Sequence, residues 1–257
     1  MACLLLAVAC AGPFAAAQSF ERQLPEDVIL SFSLKDYPDF MARFKETPHY
    51  DLLLEPEMEG FFRGMLEMTP LEDPDELISK VKSIAGRVDA MLSGEVAMAL
   101  GELLLSPYAD PEVQFILLAD VTEHRDRAER LIEELLDMVR TDMPEAEITR
   151  SEESFRGTTI VQISVEGDEE ELYYALDDET LAVCVGGRSL LEKHIVLRQG
   201  GDVPSLADAP LYRRLQAFFG PNQDGLIYLN IAALIDMLPA GGEAPPGQFG
   251  PPMGPRD

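Results

Sequence analysis

Residues 157–201 read GTTIVQISVEGDEEELYYALDDETLAVCVGGRSLLEKHIVLRQGG, and their pattern decides the fold. Strand side chains alternate, so Thr159, Val161, Ile163 and Val165 fall on one face of an extended segment and Gln162 and Ser164 on the other. The polar run 166–171 breaks that strand, and Leu172, Tyr174 and Leu176 resume an apolar face. Asp177-Asp178-Glu179 makes a second turn, followed by Leu181, Val183 and Val185 with Ala182 and Cys184 behind them. Apolar on both sides, this third strand belongs in the middle of a sheet. Connections this short force antiparallel neighbours. Gly186-Gly187 ends the strand. Ser189 and Glu192 then have the spacing of a capping box, and Leu190, Leu191, Ile195 and Leu197 give the following helix its apolar side.

Upstream, Val28 to Leu34 reads as a strand and Tyr37 to Lys45 as a short helix. A second helix lies within 50–68 around Pro56, and Asp73-Pro74-Asp75-Glu76 starts a third, with proline and acids suited to a first turn. Val96 to Leu105 is a strand region, 106–111 a loop, and Val113 to Val121 a strongly apolar strand. Between Thr122 and Thr141, Ala128, Leu131, Ile132, Leu135, Leu136 and Val139 recur at helical spacing among charges. Ile148 to Phe155 is a strand leading into the meander. Downstream come a helix through Phe219, a strand from Gly225 to Asn230 and a short helix to Leu238. The prediction is an α+β fold over residues 18–240: a largely antiparallel sheet with a three-strand meander and helices packed on it. The Val113 strand and the long helix after it are able to form one parallel βαβ unit. Residues 241–257 are dominated by Pro and Gly, carry too little apolar content to pack, and are predicted to be disordered.

The segment from Asp27 to Met41 lays on that from Asp224 to Leu238 without a gap. Asp27 meets Asp224, Asp39 meets Asp236, and Phe32 meets Leu229. On one reading, 224–238 opens a second unit like the first and the chain is the first half of a longer protein. On the other, any strand followed at once by a helix shares this pattern. Leu24, Pro25 and Asp27 before an apolar strand, with Ser205, Leu206, Ala207, Asp208, Pro210 and Tyr212 later, resemble a family of exported bacterial proteins catalogued only as a domain of unknown function. The likeness runs over most of residues 24–238. Members of that family are typically longer, and no catalytic residues are established for it, so it carries none over to this chain.

Forty-seven acidic residues against twenty Lys and Arg leave a net charge of −27. Nucleic acid needs cations to neutralise its phosphates, so that class of partner is disfavoured, as is an anionic lipid surface. Basic or divalent-cation partners suit the charge, as does a surface kept soluble by repulsion.

Residues 1–17 carry no charged side chain. Leu4 to Ala9 is a short apolar core, and Ala15-Ala16-Ala17 before Gln18 fits signal-peptidase cleavage. The core is too short to anchor the mature chain across a bilayer. The prediction is export to the periplasm or the extracellular space. Leu6-Ala7-Val8-Ala9-Cys10 also resembles a lipobox, which gives lipidation at Cys10 as an alternative, although Leu is expected where Ala7 stands. Cleavage leaves Cys184 alone, excluding an internal disulfide, and its apolar strand predicts a buried, inert thiol.

No nucleophile elbow, HExxH pair, paired cysteine ligands or phosphate-cradling Gly-Lys loop is present. His49, His124 and His194 lie in different elements, the last two on charged helices where a solvated surface position is expected. Gly186-Gly187-Arg188-Ser189 leads into a helix start, a geometry able to bind an anion but equally an ordinary turn. An up-and-down order puts the 166–171 turn beside the start of the Ile148 strand. It thereby gathers Glu145, Glu147, Asp168, Glu169, Glu170 and Glu171 into an acidic rim, an oxygen-rich candidate for Ca²⁺ or a solvated edge that discourages sheet pairing. No cofactor and no catalytic residue is predicted. The functional expectation is a non-catalytic envelope or extracellular domain serving binding or structure. The alternatives are a hydrolase using carboxylate general acid/base chemistry and a weak Ca²⁺-dependent adhesion or assembly module.

Overall fold

The computed structural model describes residues 19–53, 55–67, 74–104, 112–167, 171–220 and 223–237. The expected export signal, the 106–111 loop and the Pro/Gly-rich tail lie outside those residues. One sheet is built from β1 (Leu30–Leu34), β2 (Val96–Leu104), β3 (Glu112–Asp120), β4 (Ile148–Phe155), β5 (Thr158–Val165), β6 (Leu172–Leu176), β7 (Thr180–Val185) and β8 (Gly225–Leu229). Their order is β4-β5-β6-β7-β3-β2-β1-β8, and every neighbouring pair is antiparallel. The protein is α+β.

The meander forms as its alternation dictates. Phe155 pairs with Thr158 across Arg156-Gly157, both at positive φ, the backbone that a two-residue hairpin turn needs. The second turn is pinned by Asp177, whose Oδ1 accepts from the N–H groups of Glu179 and Thr180 at 2.9 Å each. β7 is central, between β6 and β3, as its two apolar sides require.

Helix α5 (Arg125–Asp142) carries the chain from β3 to β4, at the far edge of the sheet. Four antiparallel steps separate those strands, so they run in the same direction. The parallel βαβ unit open to them nevertheless does not form, because the meander folds back into the gap and takes the hydrogen bonds there. Helices α1 (Tyr37–Phe44), α2 (Pro48–Leu53), α3 (Pro56–Glu67) and α4 (Pro74–Met91) connect β1 to β2. The single helix expected around Pro56 is two helices, since Pro56 cannot donate an N–H to a continuing helix and starts a new one instead. Asp36 caps α1, accepting from the Asp39 N–H at 2.9 Å.

Both sheet faces are covered. On one, Val96, Ala119, Val161, Ile163, Tyr174 and Leu181 bury against Ala128, Leu131 and Leu136 of α5 and Met91 at the end of α4. On the other, Ala97, Ala99, Ile116, Leu118, Ala182 and Cys184 bury against Leu190, Leu191 and Ile195 of α6 (Ser189–Arg198). The capping box expected at Ser189 and Glu192 is not made. Ser189 donates to Gln114 at 2.8 Å, Glu192 accepts from Arg188 at 2.6 Å, and Arg188 itself occupies the cap position.

Phe20, Leu24, Val28, Leu206 and Tyr212 complete the α6 face. The two motif segments, far apart in sequence, are bonded to each other here. Leu206 donates to the Leu24 carbonyl at 2.8 Å, Glu26 donates to the Pro204 carbonyl at 3.0 Å, and Pro25 bridges Ser205. Ser205 donates to Asp208 at 2.8 Å, which turns the chain into α7 (Pro210–Phe219). The conspicuous residues of both motifs thus fasten the N-terminal segment over the core.

The two units that align in sequence, β1 with α1 and β8 with α8 (Ile231–Met237), both fold as a strand followed at once by a helix. They are antiparallel neighbours, and Ser31 pairs with its counterpart Tyr228, so a local two-fold passes between these two residues.

Leu118, fully buried in the central strand, packs in the core of the α6 face. Leu118→Ala is expected to cost about 2–5 kcal/mol of unfolding free energy. Leu52→Ala, at a half-exposed leucine of α2, is expected to cost under about 0.5 kcal/mol. Urea unfolding of the two variants checks the contrast.

Candidate functional site

The acidic rim assembles only in part. Glu166 donates to the Glu147 carbonyl at 2.9 Å, which brings the β5–β6 turn beside the start of β4 as the up-and-down order requires. Glu145 and Glu147 are exposed there. Glu171 is turned to other work, accepting from Gln162 at 2.8 Å and from the Tyr173 hydroxyl. Asp168, Glu169 and Glu170 lie outside the described residues. Among the described residues, no group of three or more His, Cys, Asp or Glu is placed to hold a metal ion.

The Gly-Gly turn does not present a cation to an anion. Arg188 is held by Glu153 and Glu192, each at 2.6 Å, so acids already neutralise the start of α6. Cys184 is fully buried and donates to the Gly187 carbonyl at 3.0 Å, and burial pushes its pKa up to about 11, the state of an inert thiol.

The histidines remain in separate elements, but His194 departs from expectation. It is 2% exposed and its Nδ1 faces the Gln23 carbonyl at 3.3 Å. His194 is buried with Leu190, Leu191, Ile195 and Leu197 of α6, because the N-terminal segment covers the helix at Gln23. Burial pushes the His194 pKa down to about 4, so it is neutral at physiological pH. It lines a cavity of about 260 Å³ together with Asp177, Thr180 and Arg198. Arg198 clamps Asp177 with both guanidinium nitrogens. Burial opposes charge on Asp177, but Arg198 and the two turn N–H groups outweigh it and hold the carboxyl below its usual range. This cavity therefore contains a braced turn and a neutral imidazole.

The strongest electrostatic feature is one the motifs did not show. Glu21, 3% exposed, accepts from the Ser33 hydroxyl at 3.3 Å and the Tyr212 hydroxyl at 3.0 Å, both through Oε1. Glu95 accepts from the Phe20 N–H at 3.0 Å. The two carboxyl groups lie within hydrogen-bonding reach of each other, yet Glu21 Oε2 and Glu95 Oε1 are buried with no other partner. A proton held on Glu95 and donated to Glu21 supplies what these oxygens lack. Burial, and then the charge of Glu21, push the Glu95 pKa up to about 8. Glu21 also borders a cavity of about 460 Å³ with Lys35, Tyr212, Arg213 and Gln216. No local signal could have found this pair, because its members are distant in sequence and meet only once the N-terminal segment crosses the sheet.

An apolar space lies on the opposite face. Between α5 and the meander is a cleft of about 310 Å³. Ile132, Leu135 and Val139 form its helix side, and Ile163, Leu172, Tyr174 and Val183 form its floor. Among the described residues, Glu171 is the one charged residue that lines it. Its walls were legible as apolar faces of separate elements, but the gap between them was not. An apolar cleft of this size with one polar group at its border is the usual form of a small-molecule site. Comparison with protein-family models, with curated proteins and with solved structures finds no match to the chain. Among the described residues, no helix is long and apolar enough to cross a membrane.

The acid pair makes stability depend on pH. Folded Glu95 keeps its proton up to about pH 8, whereas its ordinary pKa of 4.5 leaves the unfolded chain ionised, so stability falls as pH rises through this window. His194 acts oppositely: the unfolded chain takes up its proton below the ordinary 6.5 and the folded chain only near 4, so stability falls as pH drops through that range. The two slopes cancel where they overlap, leaving Glu95 alone above 6.5. The melting midpoint is expected to fall by several degrees between about pH 6.5 and about pH 8.5, and Glu95→Gln is expected to abolish that fall. Calorimetry across the range checks both.

Proposed function

We propose that this chain is an exported, non-catalytic domain of the bacterial envelope or extracellular space, and that it binds a small apolar ligand in the cleft beneath α5. The observation that carries the binding role is the cleft itself, walled by aliphatic side chains and Tyr174, with Glu171 in its lining. Export rests on the uncharged, apolar residues 1–17 and the Ala15-Ala16-Ala17 cleavage pattern. The resemblance of the LP-x-D and SLAD-x-P-x-Y segments to an exported family points the same way. Their residues serve here to fasten the N-terminal segment, which agrees with motifs that preserve a structure and not a reaction.

One observation favours the hydrolase as a second reading. Glu21 and Glu95 are convergent carboxyl groups, one with a raised pKa, and Glu21 borders a cavity. Against it, Phe20, Ser33 and Tyr212 already occupy the pair, and its remaining oxygens are buried. Hydrolysis of chromogenic esters or glycosides that is lost in both Glu21→Gln and Glu95→Gln would establish that reading over the first.

A neutral fluorophore such as N-phenyl-1-naphthylamine is expected to bind with enhanced emission. Val139→Trp, which fills the cleft from its half-buried helix wall, is expected to weaken binding at least tenfold with little change in melting midpoint. Unchanged affinity in that variant would remove the cleft from the reading. For the Ca²⁺-dependent alternative, millimolar Ca²⁺ must raise the melting midpoint, and a midpoint indifferent to the ion counts against it.

A further inference from the structure

The two edges of the sheet differ in kind. β4 carries Arg150, Glu152 and Glu153 along an exposed strand. Glu133 holds Arg150 at 2.6 Å, and Arg188 holds Glu153 at 2.6 Å. Charges placed so are the usual defence of an open edge. β8 has no such defence. Its sequence, Gly-Leu-Ile-Tyr-Leu, contains no charge and no proline. Ile227 is 69% exposed and Leu229 44% exposed, and Ile231 and Ile235 add an exposed stripe on α8 directly after it.

The backbone states which residues are free to pair. Asn230 donates to the Ile29 carbonyl at 2.7 Å, and Lys35 donates to the Asp224 carbonyl at 2.9 Å. In an antiparallel ladder the bonded positions alternate, so Asp224, Leu226, Tyr228 and Asn230 bond toward β1. Gly225, Ile227 and Leu229 therefore turn their N–H and C=O groups outward.

We propose that β8 is a self-association edge, on which a second copy of this chain pairs its own β8 antiparallel through Gly225, Ile227 and Leu229. One register pairs all three outward residues: Ile227 with Ile227 of the second copy, and Gly225 with Leu229 in both directions. That register also sets Asp224 against Asn230, so no carboxylate opposes a carboxylate. The pairing is two-fold and closes on itself. The alternative of β8 on the β4 of another copy meets the charges of that strand and leaves further edges open, so it would build a ring or a filament and not a dimer. The molecule already contains the same kind of contact, since β1 and β8 pair antiparallel about a local two-fold. On the sheet face that carries α5, the dimer extends the row of Met98, Phe32 and Ile227 across the junction and covers Ile227 and Leu229. The net charge of −27 on each copy opposes association at long range, and physiological salt screens beyond about 8 Å.

Sedimentation equilibrium of the full chain is expected to show a monomer–dimer equilibrium that tightens as NaCl rises. Ile227→Lys is expected to weaken it at least tenfold with an unchanged circular dichroism spectrum. In a background of Cys3→Ser and Cys10→Ser, Ile227→Cys is expected to cross-link into a dimer under mild oxidation, because the two residues lie directly opposite. Ser151→Cys on β4 is expected not to cross-link. A monomer at all salt concentrations without cross-linking at position 227, a dimer indifferent to Ile227→Lys, or growth beyond the dimer would each overturn the proposal.

Discussion

The ladder between β3 and β7 is the junction on which the molecule depends. It joins the meander, β4 to β7, to the half made of β1, β2 and β8. Phe115 to Asp120 lies against Thr180 to Val185 in unbroken register. Side chains alternate along it, so Ile116 and Leu118 with Ala182 and Cys184 serve one core, while Ala119 with Leu181 serves the other. A slip of one residue would exchange the two sets and ruin both cores together. The helices follow from it: α5 crosses one face because β4 must start the meander at the far edge, and α6 returns across the other.

That division explains what the sequence showed and what it withheld. The meander, its turns and α5 are local, and alternation at Val161 and Ile163 or helical spacing at Leu131 and Leu135 is enough to read them. The order of the strands is not local. No property of β3 alone says that it pairs with β7 after α5 and three further strands have intervened. The expected cap at Ser189 failed for a related reason: Gln114 and Arg188 offered tertiary partners that outcompeted the local pattern. His194 looked solvated because its neighbours Lys193 and Glu192 are charged, but a segment 171 residues away covers it.

The candidate sites divide by the same logic. Glu145 and Glu147 could be placed at one end of the sheet from strand direction alone, since alternate turns of a meander share an end. Glu21 and Glu95 could not, because Glu21 reaches the sheet only through the fastening of Leu24 and Leu206. Their encounter is costly and is held by the same hydroxyl and backbone groups that fix the N-terminal segment. The chemistry of that corner and its architecture are one object. The apolar cleft is different: aliphatic side chains of α5 and of the strands line it, and the bonds that tie α5 to the meander, Glu133 with Arg150 and Arg125 with Asp178, lie outside that lining.

The two cores also differ in the size of their parts. Under α6 the sheet presents Ala97, Ala99, Ala175 and Ala182, with Ser31 and Ser33 beside them. A Cβ on Gly101 would stand 2.7 Å from a methyl of Leu190. At Gly101 helix and sheet approach as closely as glycine allows, so an added methyl there has nowhere to go. Under α5 the residues are large and a gap remains, so side chains can change volume without moving the backbone. Sequence drift in this protein therefore has an uneven field: the contact of Gly101 with Leu190 admits no added atom, while the cleft under α5 has room to vary and to be reshaped toward new occupants.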